Sequence, residues 1–272
     1  MTIFTPSTPL HNDHMSVLEA HFGPIGRTHT CVRRDTRYVF LCFTNRCGSN
    51  FIASGLSSSG YLNTAGEYFN SDAIIENCQA NKLSGVADYF NWLPTREGKN
   101  DLLVAKIACN HLEILDKAGI LDQILDVTQF IMTERSDILA QSISYDLAMQ
   151  TGSWLYDMAR RKADCELVFS RERLIGIMEA IIGQNRDFWQ FFALNGVAPA
   201  TVVYEQFVAD PAAQISFLAR QLGLADLIYV PERIELRKQE GHINRIWRDR
   251  YMRETGRGGN GVTTDVAADH GA

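Results

Sequence analysis

Apolar residues run without a break from Tyr38 to Phe43 and stop at Thr-Asn-Arg-Cys-Gly-Ser-Asn. A continuous apolar run of this length marks a strand covered on both faces that ends in a loop. A helix is expected next, with Phe51, Ile52 and Leu56 as its apolar stripe, although Gly55 and the serines 57 to 59 give it weak intrinsic propensity. Short apolar runs at Leu102–Ile107, Val127–Met132 and Thr201–Tyr204 predict three more strands, each followed by a helical pattern. One helix opens at Ser136-Asp137, an N-cap candidate with an acid in the first turn, and carries Ile138, Leu139, Ile143 and Leu147 on one side. Residues 171–194 and 211–222 also read as amphipathic helices, the second behind the capping pair Asp210-Pro211. Strands alternating with helices predict an α/β fold with a mainly parallel central sheet flanked by helices.

Residues 1–35 lack sustained periodicity, and residues 254–272 are rich in glycine and small side chains, so both ends are expected to be loosely ordered around one domain spanning 36–253. The 272 residues are 46% hydrophobic and 21% charged, the balance of an ordinary globular chain, which excludes disordered, collagenous and coiled-coil classes. With 26 basic against 32 acidic side chains the net charge is −6, so nucleic acid is not an expected partner and any anion must be held locally. Apolar stretches such as Leu174–Ile182 fall short of the roughly 20 residues of a membrane span. The first 30 residues carry no basic, apolar and small-residue succession of a secretory signal, so the expected compartment is the cytoplasm. Six cysteines lie singly along the chain without C-x-x-C spacing and are expected to be reduced core thiols. His11 and His14 are three apart and the other histidines isolated, so no metal is expected.

The chemistry concentrates where strands meet helices. A loop entering a helix aims backbone N–H groups and the positive end of the helix dipole at one spot, which suits an anion. In FTNRCGSN, Gly48 permits close backbone approach, Arg46 adds a planar fork of donors, and Ser49 and Asn50 add side-chain donors, so phosphate or sulfate is the natural guest. An ordinary strand-to-helix turn explains the same residues equally well. The nucleotide-triphosphatase loop needs G-x-x-x-x-G-K-[ST], and here the first glycine and the lysine are missing. A second candidate anion site follows Ile131-Met132, where Arg135 precedes a helix holding Ser142 and Ser144. Between them, Glu67 lies in TAGEYFN beside Tyr68 and Phe69, where partial shielding from water would make it a better base; a plain surface glutamate is the alternative.

Taken together these segments resemble the bacterial carbohydrate sulfotransferases similar to trehalose 2-sulfotransferase. NRCGSNFIASGLSSSGYLNTAGEYF is similar to that family's R-S-G-S-T loop, helix and E-[YF]-F turn. ERSDILAQSISYDLAMQTGSW resembles its R-x-D-x-x-x-Q-A-V-S helix with a downstream Q-T and Trp154, and VVYEQFVADPAAQISFLARQLGL resembles its Y-E-x-[LF]-x-x-[DN]-P segment. KQEGHINRIWRDRYMRE resembles the closing arginine-rich helix, so the likeness spans residues 36–253.

The resemblance implies a P-loop-like three-layer sulfotransferase fold and 3'-phosphoadenosine 5'-phosphosulfate as co-substrate, with adenosine 3',5'-bisphosphate as product and no metal. It implies that Arg46, Cys47, Gly48, Ser49 and Asn50 cradle the 5'-phosphosulfate, that Arg135 and Ser144 hold the 3'-phosphate, and that Glu67 and Arg46 are catalytic, with Glu67 as general base. The implied acceptor is a hydroxyl of a sugar or glycolipid. A nucleotide-dependent phosphotransferase and a non-catalytic nucleotide- or glycan-binding module are the alternatives on the same fold. Cys47 stands where the family has serine, which removes a hydroxyl donor and leads one to expect a redox-sensitive thiol. Ser142 stands where alanine is usual, and Ser144 is preferred by position. Lys106, ending LLVAKIA, is expected in solvent, with a place facing the active site as the alternative. Trp92 is a candidate platform for a sugar, and the cluster Phe188, Trp189, Phe191 and Phe192 is expected in the core or in a homodimer contact.

Overall fold

The computed structural model describes residues 4, 13–154, 166–234 and 241–256. His11, Cys165, residues 235–240 and the tail 257–272 lie outside the described residues. Four strands form one parallel sheet: β1 (Arg37–Cys42), β2 (Leu102–Ile107), β3 (Thr128–Glu134) and β4 (Ala200–Val203), in the order β2-β1-β3-β4. Phe40 lies opposite Ala105 on one side and Phe130 on the other, and Ile131 lies opposite Ala200. Each strand falls within two residues of its apolar run.

The helices, in chain order, are α1 (His14–Phe22), α2 (Ser49–Ser57), α3 (Ser71–Asn81), α4 (Val86–Glu97), α5 (Cys109–Lys117), α6 (Leu121–Ile124), α7 (Ile138–Thr151), α8 (Arg171–Leu194), α9 (Tyr204–Ala209), α10 (Pro211–Leu222) and α11 (His242–Glu254). Asp137 and Asp210 cap α7 and α10, their carboxylates accepting from the Ala140 and Ala213 amides. Alternation along the strands divides the core. Tyr38, Phe40 and Cys42 pack with Phe69 of the turn before α3 and with residues of α4, α5 and α8, while Val39 and Leu41 pack with α2, Phe207 of α9 and α10. The result is a three-layer sandwich with helices on both sheet faces. Phe188, Phe191 and Phe192 of α8 are buried in the first of these layers, where Phe191 and Phe192 meet Phe130 edge-on.

The start of the chain corrects the expectation of a loose segment for residues 13–35. Asp13 caps α1 by accepting from the Ser16 amide, Leu18 is fully buried in the main core, and Val32 joins it. The helix spans only nine residues and buries only Met15 and Leu18, too few apolar positions to set up a readable period.

In the strand order, the chain moves from β1 to β2 on one side and to β3 on the other. The crevice outside the carboxyl ends of β1 and β3 is therefore the switch point where open α/β sheets bind ligands. Both candidate anion loops leave the sheet there.

Candidate active site

The β1 loop is folded tightly before it enters α2. Arg46 and Gly48 have φ of 64° and 91°, in the left-handed region. A Cβ on Gly48 would come within 2.1 Å of the Tyr204 ring, so glycine is required there by space as well as by dihedral. Gln141 of α7 locks the turn, its amide donating to Thr44 Oγ1 and to the Asn45 carbonyl, each at 2.9 Å. Gly48 is the N-cap of α2 and offers no side chain, so the first amides of that helix are left for another acceptor.

Cys47 has a different part from the one expected. Its thiol is fully buried, with Sγ 3.1 Å from Thr133 Oγ1, and its amide donates to the Thr44 carbonyl at 3.2 Å. The residue closes the turn through its amide and turns its thiol to β3, and burial removes the solvent access that redox sensitivity needs. Ser49 is buried at the helix start and Asn50 half-buried beside it.

Arg46 and Arg135 come together although 89 positions separate them. Arg46 Nε donates to Ser144 Oγ at 2.9 Å, Arg46 Nη1 donates to the Trp154 carbonyl at 2.6 Å, and Arg135 Nη1 donates to the Arg46 carbonyl at 3.2 Å. Burial, and then the charge of Arg135, hold the Arg46 guanidinium below the usual range. Two neighbouring cations partly withdrawn from water are the arrangement that an anion relieves. Ser142, the other serine considered, donates to the Ile138 carbonyl within its own helix and is fully buried.

The β3 loop is braced by residues that sequence reading passed over. Glu205 accepts from the amides of Ser136 and Asp137 at 2.9 and 3.3 Å and lies 3.7 Å from Arg135 Nε. The Arg135 guanidinium sits 4.9 Å over the Tyr204 ring. Arg248 of α11 donates to the Asp137 carboxylate at 2.6 Å, which brings the closing basic helix to the start of α7. Tyr204 and Glu205 could have been found from the Y-E pair quoted above; nothing local marks Arg248 among its neighbouring arginines.

Glu67 is placed by the sheet. The Lys106 amide donates to the Gly66 carbonyl at 2.8 Å, a single parallel bridge that sets the next residue beside the end of β2. The environment is not the one expected from Tyr68 and Phe69. Phe69 is swallowed by the core, the Tyr68 hydroxyl donates to the Thr64 carbonyl at 2.6 Å, and the Glu67 side chain is 42% exposed. Its partner is Lys106, whose Nζ lies 2.6 Å from Glu67 Oε1 and 2.5 Å from Asn50 Oδ1. The expectation of a solvent-exposed Lys106 is thus overturned: its side chain is 5% exposed, because β2 is covered on both faces and Phe43 packs 4.6 Å from the ammonium. Trp92 packs on Tyr89 at 5.9 Å as part of the layer over the sheet.

The second loop and everything that braces it from α7, α9 and α11 fall in residues 114–254, which match the model of the Stf0 sulphotransferase family. The chain belongs to the Stf0 sulphotransferase family. The match covers Arg135, Ser144, Tyr204, Glu205 and Arg248 of this sulfotransferase, while the Arg46–Asn50 loop, Glu67 and Lys106 precede it. Among solved structures, the sulfotransferase domain from the Synechococcus PCC 7002 olefin synthase superposes with a TM-score of 0.50 at 13% identity, over 79% of this chain and 89% of that one. At that identity the likeness is one of fold. Among curated proteins, none matches the chain. Among the described residues of the sulfotransferase no helix is long and apolar enough to cross a membrane, and no group of three or more His, Cys, Asp or Glu could hold a metal ion.

Proposed function

We propose that this sulfotransferase moves a sulfuryl group from 3'-phosphoadenosine 5'-phosphosulfate to a hydroxyl of a carbohydrate or glycolipid, with trehalose as the first acceptor to try. The observation that carries the reading is the meeting of Arg46, Arg135 and Ser144 at the sheet's switch point, next to an uncapped helix start and within reach of the loop that Glu67 adjoins. A donor carrying a 3'-phosphate and a 5'-phosphosulfate on one ribose needs two neighbouring anion sites, and the closeness of the β1 and β3 loops supports that reading.

In this reading the amides at the start of α2, with Ser49 and Asn50, bind the 5'-phosphosulfate, and Arg135 and Ser144 bind the 3'-phosphate. Arg46 lies between the two, bonded to Ser144 through Nε and contributing its carbonyl to Arg135. Sulfuryl transfer passes through a loose transition state, so the protein contributes alignment of the acceptor and stabilisation of charge on the non-reacting oxygens. Glu67, exposed on one side, takes the proton of the attacking hydroxyl.

Calorimetric titration with adenosine 3',5'-bisphosphate, run beside ATP with magnesium, tests the donor class. Micromolar binding selective for the bisphosphate is expected. Preference for ATP would make the protein a phosphotransferase, and binding of neither would overturn the assignment of the two anion sites.

A further inference from the structure

His14 opens α1, and its ring is tied to the turn that carries Glu67. The Glu67 carbonyl accepts from the Asn70 side-chain amide at 2.8 Å, which holds Glu67–Asn70 in a tight turn, and Ser71 follows as the first residue of α3. The Ser71 backbone amide lies 3.3 Å and its Oγ 2.9 Å from His14 Nδ1. A backbone N–H can only donate, so Nδ1 is the acceptor and the neutral ring carries its proton on Nε2. Among the described residues none accepts that proton. The helix does not need the ring for its own start, because Asp13 already caps it.

The neighbours of this half-buried imidazole lead back to the site. The His111 ring lies 5.3 Å from it, Phe43 lies 6.4 Å from His111, and Lys106 Nζ stands 4.6 Å from the Phe43 ring and bonds Glu67. His14 is thus joined to Glu67 along the chain through Ser71 and across the rings at the carboxyl ends of β1 and β2. Burial lowers the His14 pKa while the charges of Asp72 and Glu67 oppose that shift, so the ring is neutral and within reach of the Glu67 field.

We propose that His14 recognises the acceptor: its Nε2–H donates to the oxygen next to the hydroxyl whose proton Glu67 takes. The inference rests on the reading of the preceding section and narrows the acceptor to alcohols with a second oxygen on the neighbouring carbon, such as the vicinal hydroxyls of a pyranose. A carboxylate alone does not distinguish the hydroxyls of a sugar. Two fixed contacts on adjacent oxygens orient the sugar ring, so that one hydroxyl stands in line with the sulfur. Because Nδ1 is already held by Ser71, the Nε2–H is presented at a set place and little ordering is left for binding to accomplish. An acceptor that lacks the second oxygen leaves this N–H without a partner.

The test compares sulfuryl transfer from radiolabelled phosphoadenosine phosphosulfate to trans-cyclohexane-1,2-diol and to cyclohexanol, with trehalose run alongside. The unsubstituted protein is expected to prefer the diol about tenfold in kcat/KM, the worth of one hydrogen bond. His14→Asn, whose side-chain oxygen still accepts from Ser71 but which has nothing at the Nε2 position, should erase the preference, chiefly through a higher KM for the diol. His14→Gln, whose amide N–H reaches the Nε2 position, should keep most of it. Calorimetric binding of adenosine 3',5'-bisphosphate should be the same in both variants. If the asparagine variant does not fold, Ser71→Ala, which frees the ring without removing its N–H, should reduce the preference instead. The absence of a diol preference in the unsubstituted protein, its persistence in His14→Asn, or equal losses for the two alcohols overturns the role of His14 and leaves the function intact. Transfer to none of the three alcohols by a protein that binds the bisphosphate overturns the alcohol acceptor, and this inference with it.

Discussion

Arg46 Nε donates to Ser144 Oγ at 2.9 Å, joining two residues 98 positions apart that the proposed function assigns to different phosphate groups of the donor. The two candidate anion loops therefore share a wall, and a substitution in one should be felt in the other.

Arg135→Ala is expected to weaken binding of adenosine 3',5'-bisphosphate by roughly 10- to 100-fold, the range of a lost charge-assisted hydrogen bond. Binding of adenosine 5'-phosphosulfate, which lacks the second phosphate, should change far less. Ser144→Ala should weaken bisphosphate binding more mildly and also loosen Arg46, so some loss of 5'-phosphosulfate affinity is expected with it. Titration of both nucleotides against both variants checks this, and equal losses of the two ligands in Arg135→Ala would place the second phosphate elsewhere.

Glu67→Gln should retain bisphosphate binding and lose about a hundredfold to ten-thousandfold in transfer to a sugar hydroxyl, the usual worth of a general base. An unchanged transfer rate in a radiolabel assay with the same sugar would remove Glu67 from the chemistry.

His111 supplies a pH dependence of stability. It is buried on α5, its Nδ1 accepts from the Ala108 amide at 3.2 Å, and burial pushes its pKa down to about 3. Below pH 6.5 the unfolded chain takes up a proton on this imidazole that the folded chain refuses until about pH 3. The contribution of this imidazole to stability is therefore complete above pH 6.5 and falls by ~1.4 kcal/mol per unit as the pH drops through that window. Chemical denaturation at several pH values should show this slope, and His111→Gln should flatten it. An equally steep acid limb in the variant would place the sensitivity on other groups.

Thiol chemistry separates Cys31 from the rest of the described cysteines. Cys31 is exposed, whereas Cys42, Cys47, Cys78 and Cys109 are buried free thiols; burial raises Cys42 and Cys109 well above the normal range and Cys78 to about 11. Brief labelling of the native protein with a maleimide, read by peptide mass spectrometry, should modify Cys31 and spare Cys47. Rapid modification of Cys47 would mean that the β1 loop opens in solution.

Leu18→Ala tests whether α1 belongs to the domain. Truncating a fully buried leucine costs about 2 to 5 kcal/mol. A loss under about 0.5 kcal/mol in denaturant titration would return the helix to the status of a loose arm.

The strands were legible because the middles of β1, β2 and β3 are buried on both faces and so carry short apolar runs, while β4 buries only Val202 and shows as a short β-branched stretch. Asp137 and Asp210 announced their helices as caps, and the arginine and glycine of the first loop were visible from residue type alone. What escaped was set by tertiary placement. Lys106 looks like any lysine ending a strand, and only the bridge from Gly66 to β2 shows that Glu67 arrives beside it. Tyr68 and Phe69 adjoin Glu67 in sequence, but one turns to Thr64 and the other enters the core, so adjacency in the chain misreported the carboxylate's surroundings. Cys47 likewise reads as a loop donor until Thr133 is found beneath it.

The contact between Gly48 and the Tyr204 ring also constrains how this sequence can diverge. A side chain at position 48 needs both a smaller residue at 204 and a backbone that abandons its left-handed turn, and the smaller residue would in turn remove the aromatic face beneath Arg135. Drift at position 48 alone is blocked, whereas position 204 can change first: descendants of this chain that lose the glycine should be those in which the tyrosine, and with it the support of the second arginine, has already been given up.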